Sequence, residues 1–197
     1  MVAFLNYSCI FVAMHHTSQQ IRIAVTGPES TGKTTLAMQL AEICNGQYIP
    51  EFAREYVEKL PHHYTYEDVE AIAIRQIEQY RATQTSSEKL FIFDTWLIIT
   101  KVWFKWVFNR TPDWLDQQIK EYPIDLFLLC LPDLPWQPDP VRENGGENRL
   151  KLLELYREEL HHYGFNFVAI GGVGEQRLQS ALHVLNNFYP HMKLSDI

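Results

Sequence analysis

Short apolar runs alternate with longer amphipathic stretches along the chain, and this alternation predicts parallel strands joined by helices. Residues 21–26 (IRIAVT) end at Gly27 and predict a first strand. Residues 33–43 (KTTLAMQLAEI) put apolar side chains at 36, 37, 40, 41 and 43, a helical spacing. A second strand is predicted over 47–50, followed by helices over 52–60 and 67–83. The run at 89–93 (KLFIF) is a continuous apolar strand that meets Asp94. Residues 96–108 read as one bulky apolar helix, and Thr111-Pro112-Asp113 as the cap of the next. Further strands are predicted over 125–131 and 165–170, with helices over 147–162 and 175–189. Between them, 132–146 is rich in proline and glycine and predicts a loop.

Five strands alternating with helices predict an α/β fold, a parallel sheet with helices on both faces. The expected organisation is one domain over 20–190, preceded by an extension over 1–19 and followed by a tail over 191–197. The length of 197 residues is enough for a full core. The run 1–14 is mostly apolar, but Asn6, Tyr7 and Ser8 interrupt it and no Lys or Arg precedes Arg22. It is too short for a span and lacks the positive flank of a signal peptide, so a non-targeting arm is expected, with Met14 as an alternative start. Neither membrane association nor a leader is predicted.

Charge and cysteine content narrow the partners. Lys and Arg total 17 against 24 Asp and Glu, a net charge of −7. Duplex binding needs a basic excess, so nucleic acid is not an expected partner. Cys9, Cys44 and Cys130 are far apart and form no CxxC pair, which fits a reducing cytoplasmic compartment. The pairs His15-His16, His62-His63 and His161-His162 lack metal-ligand spacing and are read as surface histidines.

The decisive segment is Gly27-Pro28-Glu29-Ser30-Thr31-Gly32-Lys33-Thr34, which fits G-x-x-x-x-G-K-[ST] between a strand and a helix. The glycines permit a curve that turns backbone N–H groups toward phosphates, and the helix start adds its positive end. Lys33 bridges the terminal phosphates, the Thr34 hydroxyl is a candidate Mg²⁺ ligand, and Glu29, Ser30, Thr31 and Thr35 complete the expected ATP-binding loop. Asp94, at the end of an apolar strand, is the expected acidic partner for Mg²⁺.

Among phosphate-loop proteins, GTP switches carry Asn-Lys-x-Asp and Asp-x-x-Gly signatures, and neither occurs here. Motor ATPases need additional sensor elements. A small-molecule kinase needs a mobile lid bearing arginines, and 132–149 with Arg142 and Arg149 fits that part. Glu51, in EFAREY after the second strand, falls on the edge where ligands sit. Its carboxylate is suited to orient or deprotonate a hydroxyl, with Asp94 as the other candidate base. Arg54 pairs with Glu51 or contacts phosphate. The competing account of Glu51 is a helix-start acid in an i,i+3 pair with Arg54.

These segments, with Pro50-Glu51-Phe52-Ala53-Arg54-Glu55-Tyr56, Phe93-Asp94-Thr95, Thr100 and Lys120-Glu121-Tyr122-Pro123-Ile124-Asp125, resemble the NadR-like P-loop ribosylnicotinamide kinases over about 20–188. The resemblance implies a five-stranded parallel kinase sheet, Mg-ATP, and phosphorylation of the ribose 5′-hydroxyl of nicotinamide riboside in NAD salvage. NadR proteins also carry a helix-turn-helix and an adenylyltransferase domain. No His-x-Gly-His motif occurs here, so neither repression nor adenylyl transfer is expected. Another nucleoside or deoxynucleoside as acceptor, and a non-catalytic ATP-binding regulator, are the alternatives. A cationic pyridinium suits an aromatic face. Phe52, Tyr56, Trp96 and Trp136 are the candidates, Trp96 foremost, with Glu55 or Asp94 as a nearby acid.

Overall fold

The computed structural model describes residues 20–190. The proposed arm, its start at Met14, Cys9, His15-His16 and the proposed tail lie outside the described residues. Five strands form one sheet: β1 (Ile21–Thr26), β2 (Gln47–Ile49), β3 (Leu90–Asp94), β4 (Leu126–Cys130) and β5 (Phe167–Ile170). Their order is β2-β3-β1-β4-β5 and every pair is parallel. Seven α-helices connect them: α1 (Lys33–Ile43), α2 (Phe52–Glu58), α3 (Tyr66–Gln84), α4 (Leu97–Trp103), α5 (Leu115–Glu121), α6 (Asn148–His162) and α7 (Glu175–Phe188).

The central strands β1, β3 and β4 are buried on both faces, which is why they read as largely apolar runs. Strands β2 and β5, at the edges, are partly exposed. Ala24, Phe91, Phe93, Phe127 and Leu129 point into a layer shared with α3, α4, α5 and α6. Ile23, Val25, Ile92, Leu126 and Leu128 point into the other, closed by α1 and α7. The registers Val25↔Asp94, Ile49↔Phe93 and Cys130↔Ile170 align the carboxyl ends of the strands. Gly27, Glu51, Asp94 and the start of the 132–147 loop therefore leave the sheet at one edge.

Three local expectations are corrected. The apolar run 96–108 is not one helix: α4 ends at Trp103 and a π-helical turn, Phe104–Phe108, follows. Thr111-Pro112-Asp113 is not a side-chain cap. Helix α5 starts at Leu115 without one, and the Leu115 N–H instead donates to the Pro112 carbonyl at 3.1 Å. Strands β2 and β5 are also shorter than predicted, three and four residues. Helix α3, by contrast, starts at a full capping box in which Thr65 and Asp68 satisfy each other's backbone N–H.

Candidate active site

A cleft of about 440 Å³ opens at the carboxyl edge, lined by the loop 27–35, by Glu51 and Arg54, and by residues of α4, the π turn and the 132–147 segment. The phosphate loop forms its floor. Gly27 has φ +131°, and a Cβ there would stand 2.6 Å from the Cys130 carbonyl oxygen, so only glycine fits. Gly32, at φ +73°, gives the left-handed residue from which α1 starts. Lys33 folds its ammonium back to the Pro28 carbonyl at 2.8 Å, and the Thr31 hydroxyl donates to the same carbonyl, also at 2.8 Å. Thr34 and Thr35 are exposed on the first turn of α1 and line the cleft.

Glu51 is the residue immediately before α2, and its side chain makes no capping bond. Its carboxylate is left for the cleft. Burial raises its pKa above the ordinary carboxylate value, against the pull of Lys33, and Asp94 adds to the rise while Arg54 and Arg142 oppose it. The expected Glu51–Arg54 ion pair is not formed. Arg54 instead bonds Glu58 at 3.2 Å and Asp139 at 2.9 Å, reaching across to the 132–147 segment.

That segment lies over the loop as a lid. Asp139 also receives Nε of Arg142 at 2.9 Å, so two cleft-lining arginines share one carboxylate. Ser30 exchanges hydrogen bonds with the Gln137 backbone at 3.1 and 3.2 Å. Glu29 accepts from the backbone and side-chain N–H groups of Asn144, each at 3.0 Å. Glu143 accepts from His63 and Tyr64, each at 2.8 Å.

Asp94 is almost wholly buried at the end of β3. Its Oδ2 accepts from the Tyr48 hydroxyl at 3.1 Å and its Oδ1 has no partner among the described residues. The next residue, Thr95, has φ +71°, a strained conformation for a β-branched side chain. The hydroxyl of Thr34 and the free oxygen of Asp94 are hard donors of the kind Mg²⁺ takes, and the orphaned buried carboxylate oxygen is what such an ion would satisfy. Among the described residues no cluster of three His, Cys, Asp or Glu forms a metal site of its own.

Several expected contacts are not made. Trp96 is 1% exposed and packs on Tyr80 and Phe93 in the core, since the turn at Thr95 directs it under the sheet. Tyr56 lies outside the cleft, with Phe52 and Glu55 in a separate shallow hollow, and its hydroxyl donates to Asp68. Trp136 does not line the cleft either; its ring packs against Gly145. Arg149 is buried and does not line the cleft: its two terminal nitrogens reach the Leu134 and Ser30 carbonyls, and its Nε has no partner among the described residues. The aromatic wall of the cleft is instead Tyr64, Trp103, Trp106 and Tyr156, beside Ile99, Val102 and Leu152. The sequence signal for it was the density of large aromatic residues over 103–108.

The AAA domain family profile matches residues 22–177, the greater part of the chain, with the phosphate loop, Glu51 and Asp94 inside the match. The chain belongs to the AAA domain family. The trifunctional NAD biosynthesis/regulator protein NadR of Escherichia coli (strain K12) is 28% identical over 155 residues, 75% of this chain and 37% of NadR. The chain thus spans just over a third of the length of that relative. The fold is that of a P-loop kinase. The crystal structure of NadR protein in complex with NR matches with a TM-score of 0.72 and 21% identity, over 87% of this chain and 51% of that one. A deoxyadenosine kinase from M. mycoides matches with a TM-score of 0.61 and 14% identity, over 85% of this chain and all of that one (100%). Among the described residues no helix is long and apolar enough to cross a membrane.

Proposed function

We propose that this AAA domain protein is a small-molecule kinase that transfers the γ-phosphoryl group of ATP to the 5′-hydroxyl of a nucleoside, nicotinamide riboside above others. The observation that carries this is the single cleft in which a phosphate loop, a deep unpaired carboxylate and an aromatic wall meet. Lys33 and the loop amides bind the phosphates. Glu51 holds the acceptor hydroxyl and takes its proton as the new O–P bond forms and the bond from γ-phosphorus to the bridging oxygen breaks. Arg142 and Arg54 sit where negative charge builds on the transferring group, and the lid keeps water away from it. Thr34 and Asp94 would hold Mg²⁺, which supplies neutralisation of phosphate charge when bound.

The acceptor end favours a flat cation. Tyr64, Trp103, Trp106 and Tyr156 line it, and two carboxylates are tied to them, Glu143 bonded to Tyr64 and Glu29 bonded to the Asn144 that holds Trp106. The structural likeness to a NadR protein solved in complex with NR supports the same acceptor. The likeness to a deoxyadenosine kinase supports a second reading, a kinase for neutral nucleosides. A panel of nucleosides with ATP, followed by ADP release and product mass, separates the two. Turnover with nicotinamide riboside at least about tenfold above any purine or pyrimidine nucleoside is expected. Preference for a neutral nucleoside favours the second reading, and ATP binding without turnover on any acceptor overturns kinase activity itself.

A further inference from the structure

Arg177 stands on α7, outside the cleft, and is 4% exposed. All five of its N–H donors are spent. Nε donates to the Gly172 carbonyl at 3.0 Å. One terminal nitrogen reaches the Thr31 carbonyl at 2.9 Å and the Ile170 carbonyl at 3.4 Å. The other reaches the Leu131 carbonyl at 3.3 Å and the Asp133 carboxylate. One guanidinium thus ties the phosphate loop to the ends of β4 and β5. Arg149, also buried, reaches the neighbouring Ser30 carbonyl at 3.3 Å.

A trans peptide is planar, with its C=O and N–H pointing in opposite directions. Holding the Thr31 carbonyl against Arg177 therefore turns the Gly32 N–H the other way. Holding the Ser30 carbonyl does the same for the Thr31 N–H. The cleft lies on that side, since Thr31 and Gly32 line it while Arg177 and Arg149 do not. We propose that Arg177, with Arg149 beside it, is a positioning residue that aims the amides of the phosphate loop by gripping the carbonyls behind them. The proposal rests on the kinase reading of the loop. It also explains why both guanidiniums are buried among carbonyl groups: their charge backs the loop while neither touches substrate. A lysine carries three donors on one atom and cannot span these acceptors.

Calorimetric titration with the ATP analogue AMP-PNP, alongside thermal melts, tests this on the full chain. Arg177→Lys is expected to weaken AMP-PNP about tenfold or more, and Arg149→Lys a few-fold, by analogy with the groups that stand behind metal ligands. KM for the nucleoside acceptor should stay unchanged in both. Asp133→Asn is the control, because it removes the charge opposite Arg177 while leaving the carbonyl contacts. It should lower Tm yet leave AMP-PNP affinity within about twofold. AMP-PNP binding within about twofold of wild type in Arg177→Lys overturns the proposal. So does a loss in Asp133→Asn as large as that in Arg177→Lys, which would make the role structural. If Arg177→Lys does not fold, unchanged affinity in Arg149→Lys overturns it. Wild-type protein that binds no AMP-PNP at all overturns the kinase reading first, and the proposal with it.

Discussion

Tyr48 on β2 donates its hydroxyl to Oδ2 of Asp94 on the neighbouring strand β3, at 3.1 Å, and leaves Oδ1 of that carboxylate buried without a partner. The bond fixes which carboxylate oxygen is free. Burial, and then the negative charge of Asp94, hold the Tyr48 hydroxyl in its protonated, donating form by raising its pKa. Partners that orient a metal ligand are worth about 10–100-fold in metal affinity or activity. Tyr48→Phe is therefore expected to raise the half-saturating Mg²⁺ concentration about tenfold, read from turnover titrated with Mg²⁺. An unchanged Mg²⁺ requirement would remove Asp94 from the metal site.

Lys33 and Glu51 should fail in different ways. Lys33→Ala removes a charge that stabilises the phosphoryl group in flight, and kcat should fall about 10²–10³-fold. Glu51→Gln should spare ATP binding and lower kcat about 10²–10⁴-fold if it is the base. Full turnover in Glu51→Gln would pass the role to Asp94 or to no base.

The raised pKa of Glu51 gives a sign for both activity and stability. The base works only when ionised, so kcat should fall as pH drops through a value above the usual carboxylate range. A folded pKa above the unfolded one means that stability is complete below the unfolded value and declines as pH rises through the folded one. At neutral pH, above the ordinary carboxylate value, Glu51 therefore costs stability. Glu51→Gln should raise Tm there, by about 2–4 °C for each kcal/mol recovered, while it lowers kcat. A lower Tm in the variant at pH 7 would mean that Lys33, Arg54 and Arg142 outweigh burial.

The edge of the sheet was legible because β3 and β4 are apolar runs that meet Asp94 and Leu131, and β1 is a β-branched run, broken by Arg22, that meets Gly27. Helix α1 has clean helical spacing. Strand order was not legible, because periodicity reports which faces are buried and not which strand is adjacent. Trp96 was misplaced for a specific reason. Distance along the chain from Asp94 put it at the ligand edge, but the positive φ of Thr95 sets its direction, and sequence carries little sign of that angle. Arg177 escaped, and Arg149 was read as a cleft-facing lid arginine, for another: their partners are backbone carbonyls from distant segments, which no side-chain pattern marks.

His63, between α2 and α3, bonds Glu143 of the lid at 2.8 Å, and this bond raises its pKa above the ordinary histidine value. The ion pair is complete below the ordinary value and fades as pH rises through the raised one. Both side chains are largely exposed, so the effect belongs to lid docking rather than to fold stability. NMR titration should place His63 above a free histidine, and Glu143→Gln should bring it back down. An unshifted His63 in the wild type would mean that the lid does not dock there.

The two tryptophans Trp96 and Trp106 separate core from site. Trp96 is surrounded by Tyr80 and Phe93, so Trp96→Ala should cost about 3–5 kcal/mol of stability and change KM for ATP and for nucleoside alike. Trp106 lines the cleft and also donates its indole N–H to Asn144 of the lid at 2.9 Å. Loss of an aromatic face against a cationic ring is worth about 0.5–2 kcal/mol, so Trp106→Ala should raise KM for nicotinamide riboside about 2–30-fold and leave KM for ATP near its wild-type value. Trp106→Phe keeps the face and loses the lid bond. If stacking dominates, it should retain most of the riboside affinity; if the lid bond dominates, it should behave like Trp106→Ala. A selective riboside defect in Trp96→Ala, with none in Trp106→Ala, would put the acceptor base on the other side of the sheet edge.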